Sequence, residues 1–234
     1  MSLRDNRRNL LKTLGLLGIG STFAGHLAAK DVGGAGKDNG VCVLTPEQTE
    51  GPYYLSLRNQ RSDITEGKLG MPLSLSLTVV DVKTCQPVTD AVVDIWHCDA
   101  DGVYSGYDSV RLQRWGHQEV DNADRYLRGI QITDGQGAVN FKTIYPGCYS
   151  SRTTHIHAKI YLNERELLTT QCYFPDQITD HIYTTSAHYR SGRDTRNTDD
   201  RIMQRAGAAQ KAMLTIEPDT EGYSASLTIG VLRS

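Results

Sequence analysis

Two histidines in alternate positions, His155 and His157, are the residues of this chain whose types and spacing most clearly suggest metal chemistry. On an extended strand, side chains at i and i+2 point to the same face, so one strand can offer both imidazoles to one ion. Tyr149 lies shortly before them. Phenolate combined with imidazole favours a hard, oxidised metal such as ferric iron over metals that prefer thiolate. The segment therefore predicts a metal site with two imidazoles and a phenolate.

A second tyrosine, Tyr104, is the best candidate for a further ligand. It stands in a Gly-Val-Tyr loop just after a predicted strand that ends near Trp96 and His97, and loops that follow rigid strands often carry functional residues. Each piece alone is weak evidence. A His-x-His pair more often has a structural role, and a Gly-Val-Tyr turn usually binds no ligand. Trp96 is interpreted as a core residue, and His97 as a satisfied structural histidine.

The elements that must position these residues are short strands. Alternating apolar residues over 73–82 predict a strand with one buried face. Seven further strands are predicted over 91–98, 128–133, 139–144, 155–162, 167–174, 212–216 and 223–232, with helical character near 176–188 and 198–211. Short strands without βα crossovers favour an all-β fold, here a two-sheet β-sandwich over residues 73–234. An irregular N-terminal arm over residues 30–72 precedes it, and the short helices lie near its C-terminal part.

The first 29 residues follow the order of an export signal. Paired arginines, Arg7 and Arg8, precede a short apolar run over 13–24, and small residues follow at 27–29. The run is too short to form a stable membrane span. This order predicts a twin-arginine signal over residues 1–29 and a periplasmic or secreted protein. The net charge is −2 and no basic patch is evident, so nucleic acid is not an expected partner.

The five cysteines allow disulfides without specifying them. None lies in a Cys-x-x-Cys arrangement, so a thiolate zinc site is disfavoured. Cys42 and Cys85 flank turn-rich segments and could pair in an exported protein. Burial as small hydrophobic residues is an equally good interpretation. The pairing of these two with Cys98, Cys148 and Cys172 stays open at this point.

Several blocks of the sequence together resemble the intradiol ring-cleaving dioxygenases, the protocatechuate 3,4-dioxygenase-like and catechol dioxygenase superfamily. The blocks occur in that family's order, at residues 49–54, 93–97, 102–104, 128–129, 133–134, 141–149, 152–157 and 171–174. An ordered set of this kind is far more specific than any one motif. The family's core is a β-sandwich, which agrees with the pattern of strands.

The resemblance implies a mononuclear, non-haem Fe(III) centre and an oxidoreductase that cleaves a catechol-type aromatic with O2 to a cis,cis-muconate-type product. The four metal ligands that it implies are Tyr104, Tyr149, His155 and His157. In the family's chemistry, Tyr149 would also accept a proton from the substrate. Arg152 would stabilise negative charge on the activated ring, and Gln171 would contact the site from outside the ligand set.

The resemblance leaves the substrate and the oligomeric state open. Cys148 and the serines at 150–151 differ from the protocatechuate enzymes at the rim of the pocket. Tyr53 and Tyr54 either cover this pocket or simply pack. Two other interpretations remain: a His-x-His Fe(II) or zinc enzyme of the cupin type, which needs a carboxylate ligand, and a non-catalytic binding sandwich of the transthyretin type, which residues 86–93 resemble.

Overall fold

The computed structural model describes residues 42–107, 123–190 and 192–233 of the 234-residue chain. These residues belong to a single structural unit. The predicted export signal over 1–29 and the glycine-rich beginning of the arm lie outside the described residues. Within those ranges, no helix is long and apolar enough to cross a membrane.

The described residues contain eight strands that form two four-stranded sheets. The strands are β1 (Pro72–Asp81), β2 (Val92–Trp96), β3 (Arg128–Ile132), β4 (Ala138–Ile144), β5 (His155–Leu162), β6 (Arg165–Tyr173), β7 (Thr215–Pro218) and β8 (Tyr223–Val231). The strand order is β4-β1-β8-β7 in the first sheet and β3-β2-β5-β6 in the second. Neighbouring strands are antiparallel except β1 and β8, which are parallel. The predicted all-β sandwich is confirmed.

The core between the sheets follows the alternation of the strands. In β1, Leu73, Leu75 and Leu77 are buried in this core, whereas Ser74 on the other face is exposed. Burial of each such apolar side chain stabilises the fold by roughly 1.5–3 kcal/mol before entropy is counted. Phe141 of β4, directly opposite Leu75, belongs to the same core.

The strand β5 is buried on both of its faces. Its residues Ile156, Ala158 and Ile160 join the core between the sheets. The alternate residues His155 and His157 are equally buried, and by the period of two they lie on the outer face of the second sheet. The outer face of this sheet is therefore covered, and it is the face that carries the candidate ligands.

The helices are short, as predicted, and the strand boundaries differ by up to three residues, most at the start of β7. They are α1 (Asp176–Thr185), α2 (Arg201–Gln204), a 3-10 turn (Arg205–Gly207) and α3 (Ala208–Lys211). The strand predicted over 212–216 begins later, at Thr215, so that prediction was wrong by three residues. The amide of Ala212 donates to the carbonyl of Ala208 at 3.0 Å and closes a helical turn. Leu214 then donates to the carbonyl of Tyr173 at 2.8 Å, which ties the segment to β6.

The N-terminal arm, described from residue 42, is irregular but firmly attached to both sheets. The amide of Thr45 donates to the carbonyl of Gly230 on β8 at 3.0 Å, and the Gly230 amide donates back to Thr45 Oγ1 at 2.9 Å. Further along, Gln48 donates to the carbonyl of Thr169 on β6 at 2.8 Å. The arm therefore crosses from the first sheet to the outer face of the second.

A disulfide joins the beginning of this arm to the turn after β1. It pairs Cys42 with Cys85, 43 residues apart. The other three cysteines are free: Cys98 and Cys172 are buried, and Cys148 is partly buried. Of the two interpretations of Cys42 and Cys85, the structure therefore supports pairing.

Candidate metal centre

Four side-chain donor atoms meet on the outer face of the second sheet. The hydroxyl oxygens of Tyr104 and Tyr149 lie 3.4 Å apart, and Tyr149 Oη lies 3.1 Å from His155 Nε2. His155 Nε2 and His157 Nε2 are also 3.1 Å apart. Ligand atoms about 2 Å from a common ion and separated by angles of about 90–120° are themselves about 2.8–3.5 Å apart. The four donors therefore fit a single ion between them.

The two imidazoles come from alternate positions of β5, as the spacing predicted. His155 Nδ1 lies 2.6 Å from the carbonyl oxygen of Thr153, so Nδ1 carries the proton and Nε2 has its lone pair free for a metal. The ring of His157 stacks on Trp96, its neighbour in β2, with centroids 4.7 Å apart and planes 9° apart. Its Nδ1 has no hydrogen-bond partner in the described part of the chain. Stacking, rather than a hydrogen bond at Nδ1, therefore orients this ring.

The two phenols come from two loops whose backbones touch. The amide of Gly147 donates to the carbonyl of Asp99 at 2.9 Å, and the Asp99 carboxylate accepts from the amide of Val103 at 2.9 Å. A Cβ on Gly102 would lie 2.3 Å from the Cys148 carbonyl oxygen, and Gly102 has a φ of +84°. Glycine is therefore required where the loop of the first phenol crosses the loop of the second.

Burial controls the charge states of these groups in the free site. It raises the pKa of Tyr104 and Tyr149 above the usual value and lowers the pKa of His155 to about 3. The pKa of His157 is also lowered, first by burial and then by His155. All four groups are therefore neutral near pH 7, and their lone pairs converge. A cation held between them would reverse the shift for the phenols by favouring the phenolate forms.

The guanidinium of Arg152 lies beside the phenol of Tyr149. Arg152 Nη1 donates to Tyr149 Oη at 3.5 Å, and Nη2 donates to Gln171 Oε1. Gln171 in turn donates through Nε2 to the carbonyl of Thr49 at 2.8 Å. The structure thus brings both predicted non-ligand residues to the site and attaches them to the N-terminal arm.

The arm also covers the ligands directly. The ring of Tyr53 stacks on Tyr104 with centroids 4.5 Å apart and meets Tyr149 edge-on at 6.3 Å. Gly51 lies so close to His157 that an added Cβ would be 3.4 Å from the ring carbon Cε1. Tyr54 instead packs on Trp96, with ring centroids 4.7 Å apart, and donates its hydroxyl proton to Asp94 at 2.9 Å. Tyr53 is therefore the tyrosine that covers the site, whereas Tyr54 packs beside it.

His97 has the structural role that the sequence predicted. It is completely buried, and its Nδ1 lies 2.8 Å from the carbonyl oxygen of Cys98. Its Nε2 lies 2.8 Å from Thr143 Oγ1. Both ring nitrogens thus have partners, and neither reaches the other imidazoles. Trp96 is fully buried as expected, but it packs on the outer face against His157 rather than in the core between the sheets.

Sequence reasoning missed Asp200, whose buried carboxylate accepts from Arg152 Nε at 2.9 Å. An aspartate just before a helical segment is a recognisable N-cap signal, but that signal does not indicate a partner 48 residues away. Among the residues that the structure describes, no group of three or more histidines, cysteines, aspartates or glutamates could hold a metal. A carboxylate ligand of the cupin type is thus absent from the described ranges, and the two phenols complete the donor set.

Comparisons with known proteins agree on one family. A family model described as Dioxygenase matches residues 49–196, which include all four candidate ligands. Chlorocatechol 1,2-dioxygenase of Pseudomonas putida is 29% identical over 151 residues, which cover 53% of this chain and 52% of that protein. The chain spans about half the length of the curated relatives it matches.

Solved structures extend the similarity over most of the chain. An intradiol ring-cleavage dioxygenase from Tetranychus urticae is 33% identical, with a TM-score of 0.76 over 82% of this chain and 95% of that one. The dioxygenase domain of a carbohydrate-binding fusion protein from Streptomyces sp. SirexAA-E is 27% identical. Its TM-score is 0.61, over 82% of this chain and 100% of that one.

Proposed function

The chain belongs to the intradiol ring-cleaving dioxygenase family, and we propose that it is itself an Fe(III)-dependent enzyme of this kind. Its substrates would be a catechol-type aromatic and O2. The product would be the cis,cis-muconate-type acid formed by cleavage between the two hydroxylated carbons. The chlorocatechol specificity named for the bacterial relative is a property of that protein, and the substrate proposed here is the wider catechol class.

The observation that carries this proposal is the convergence of two phenol oxygens and two imidazole nitrogens. Tyr104, Tyr149, His155 and His157 would hold the iron, since adjacent donors in this set lie 3.1–3.4 Å apart. Phenolate and imidazole suit ferric iron in both charge and hardness. When bound, the iron would hold both oxygens of the catechol and supply the redox chemistry that lets the ring react with O2.

The side chains around the ligands would move protons and stabilise charge. Held as a phenolate by the metal, Tyr149 would accept a proton from a substrate hydroxyl; its oxygen lies 3.1 Å from His155 Nε2 and 3.5 Å from Arg152 Nη1. The fixed cation of Arg152 would stabilise the negative charge that the deprotonated ring develops. Tyr53 and the arm exclude water from Tyr104, which is only 2% exposed.

Oxygen uptake by the purified, iron-loaded protein tests the proposal. We expect uptake with members of a panel of catechol, hydroxyquinol and protocatechuate, and a muconate-type mass for the product. Tyr149→Phe should cut turnover strongly, whereas Tyr223→Phe, in the first sheet, serves as the matched control. An extradiol product would overturn the proposal. A colourless iron-free or zinc protein without uptake would favour the cupin-type or transthyretin-type alternatives.

We also propose that the protein acts outside the cytoplasm, in the periplasm or as a secreted enzyme. The disulfide between Cys42 and Cys85 supports this location, because such bonds persist mainly in oxidising compartments. A twin-arginine route would suit a protein that binds its metal before export, since that route carries folded proteins.

A further inference from the structure

Asp200 is a buried carboxylate that lies directly behind Arg152. Its side chain is completely buried. Oδ2 accepts from Arg152 Nε and from the amide of Thr153, each at 2.9 Å. Oδ1 accepts from the amides of Ile202 at 2.8 Å and Met203 at 3.0 Å, at the start of α2. One carboxylate therefore joins the beginning of a C-terminal helix to the arginine of the candidate active site.

These contacts determine the direction of the guanidinium. The guanidinium is planar and rigid, so fixing Nε fixes where both terminal nitrogens point. With Nε on Asp200, Nη1 points to the Tyr149 hydroxyl at 3.5 Å and Nη2 points to Gln171 Oε1. The Arg152 side chain is only 11% exposed. A buried cation without its carboxylate would lose its charge compensation and move towards another partner.

We propose that Asp200 is a positioning residue for the ring-cleavage reaction, and that it acts by holding Arg152 in the orientation that faces Tyr149. This inference rests on the proposed function. Asp200 lies beyond residues 49–196, the segment that the family model matches. The anchor of the active-site arginine is thus supplied by a residue of the C-terminal segment, outside the range that the family model matches.

The competing explanation is that Asp200 only caps α2. The two roles use different oxygens: Oδ1 accepts from the helix amides, and Oδ2 accepts from Arg152. Serine caps helices about as well as aspartate, and its single hydroxyl would replace Oδ1 alone. Asp200→Ser therefore keeps the cap and removes the contacts of Oδ2 with Arg152 and with the amide of Thr153. Only the effect that passes through Arg152 should disappear when Arg152 is itself replaced.

A double-mutant cycle of Asp200→Ser and Arg152→Gln tests the proposal on the iron-loaded full chain. In the wild-type background we expect Asp200→Ser to lower kcat roughly 10- to 100-fold, with a smaller change in KM, as small displacements of catalytic groups do. In the Arg152→Gln background, the same substitution should change kcat less than about twofold, because residues that act through one another are not additive. An equal fall of kcat in both backgrounds would overturn the proposal, as would an unchanged kcat in either single variant.

Asp134→Ala is the control for loss of a backbone cap. Its carboxylate accepts from the amides of Gln136 at 2.8 Å and Ala138 at 2.9 Å in a surface turn. We expect its kcat to equal that of the wild type. If no catechol is turned over even by the wild type, the proposed function fails, and crystal structures of wild type and Asp200→Ser decide the positioning role alone. A displaced Arg152 guanidinium then supports the role, and an unmoved one contradicts it.

Discussion

Each histidine of the candidate metal centre is oriented by a different kind of interaction, one by a hydrogen bond and the other by ring stacking. The Thr153 carbonyl fixes the proton of His155 on Nδ1, which leaves Nε2 for the metal. His157 instead lies flat against Trp96. Stacking on Trp96 fixes the plane of the His157 ring and adds van der Waals contact, but it gives Nδ1 no hydrogen-bond acceptor. His157 is therefore held by packing, and its donor atom is supported by the ion as much as by the protein.

Replacing His157 by alanine should remove the metal and its colour. We expect iron affinity to fall by more than the roughly 10- to 100-fold that loss of an outer hydrogen-bond partner costs. The visible band expected of tyrosinate bound to ferric iron should bleach. Iron content and absorption spectra of the purified variant measure both effects. His188→Ala, at an exposed position, is the matched control, and a His157→Ala protein that retained iron, colour and turnover would contradict the ligand assignment.

Asp94 should make the stability of the protein depend on pH. It is 7% exposed, and burial raises its pKa to about 7 although Tyr54, Arg128 and Lys159 act in the other direction. In the unfolded chain the pKa of aspartate is about 3.9. The folded state therefore retains a proton that the unfolded state has released, so this stabilising contribution is complete below about pH 4 and is lost as the pH rises to about 7.

Asp94→Asn removes this titration. Between about pH 4 and 7 we expect the free energy of unfolding of the wild type to fall, relative to the variant, by about 1.4 kcal/mol per pH unit. Urea unfolding of both proteins at pH 5, 6, 7 and 8 measures the difference. Asp219→Asn, at an exposed turn position, is the control. Parallel pH profiles for wild type and Asp94→Asn would show that the carboxyl titrates normally.

At the scale of elements, the site depends on how two loops cross. The loop after β2 carries Tyr104, and the loop after β4 carries Tyr149. A Cβ on Gly147 would lie 2.4 Å from the Ala100 carbonyl oxygen and 2.6 Å from that of Asp99. Both obstacles are backbone atoms, which cannot rotate away as a side chain can. The separation of the two phenols is therefore set by the backbone.

Gly147→Ala should separate the loops and weaken the metal site. We expect a loss of roughly 1–3 kcal/mol of stability, as for other overpacked positions, together with a lower iron affinity. Urea unfolding and iron titration measure these effects. Gly135→Ala is the matched control, since an added Cβ there meets no atom within 4 Å. It should change stability by no more than about 0.5 kcal/mol. Equal behaviour of the two variants would show that the loops can move apart freely.

Local patterns predicted the elements of this fold better than their contacts. Alternation predicted β1 and β5, and the same period of two placed His155 and His157 on one face. Its position in a loop after a strand made Tyr104 a candidate, but only the family resemblance connected it with the histidines. The contact between Asp200 and Arg152 depends on a fold that joins segments 48 residues apart. Such long-range contacts leave no period or spacing in the sequence from which they could be predicted.

At the scale of the whole molecule, the N-terminal arm connects the disulfide, both sheets and the metal centre. It begins at Cys42, which is bonded to Cys85, and it hydrogen-bonds to Gly230 on the first sheet and to Thr169 on the second. It then places Tyr53 on a candidate ligand. A covalent constraint at the beginning of the arm therefore restrains Tyr53, which covers the site further along the arm.

The disulfide between Cys42 and Cys85 should form only if the chain reaches an oxidising compartment, so its state should report whether the chain is exported. Replacing Arg7 and Arg8 by lysine keeps the positive charge but removes the paired guanidinium groups that a twin-arginine signal presents. In a bacterial host with that export route, we expect the variant to remain in the cytoplasm with Cys42 and Cys85 as free thiols, because glutathione and thioredoxin keep cytosolic thiols reduced. Cell fractionation followed by thiol alkylation and mass measurement reads out both properties.

Arg4→Lys is the control and should be exported and oxidised like the wild type. Export of the double variant in wild-type amounts would contradict the signal, whereas a retained but fully oxidised chain would mean that the disulfide carries no information about location.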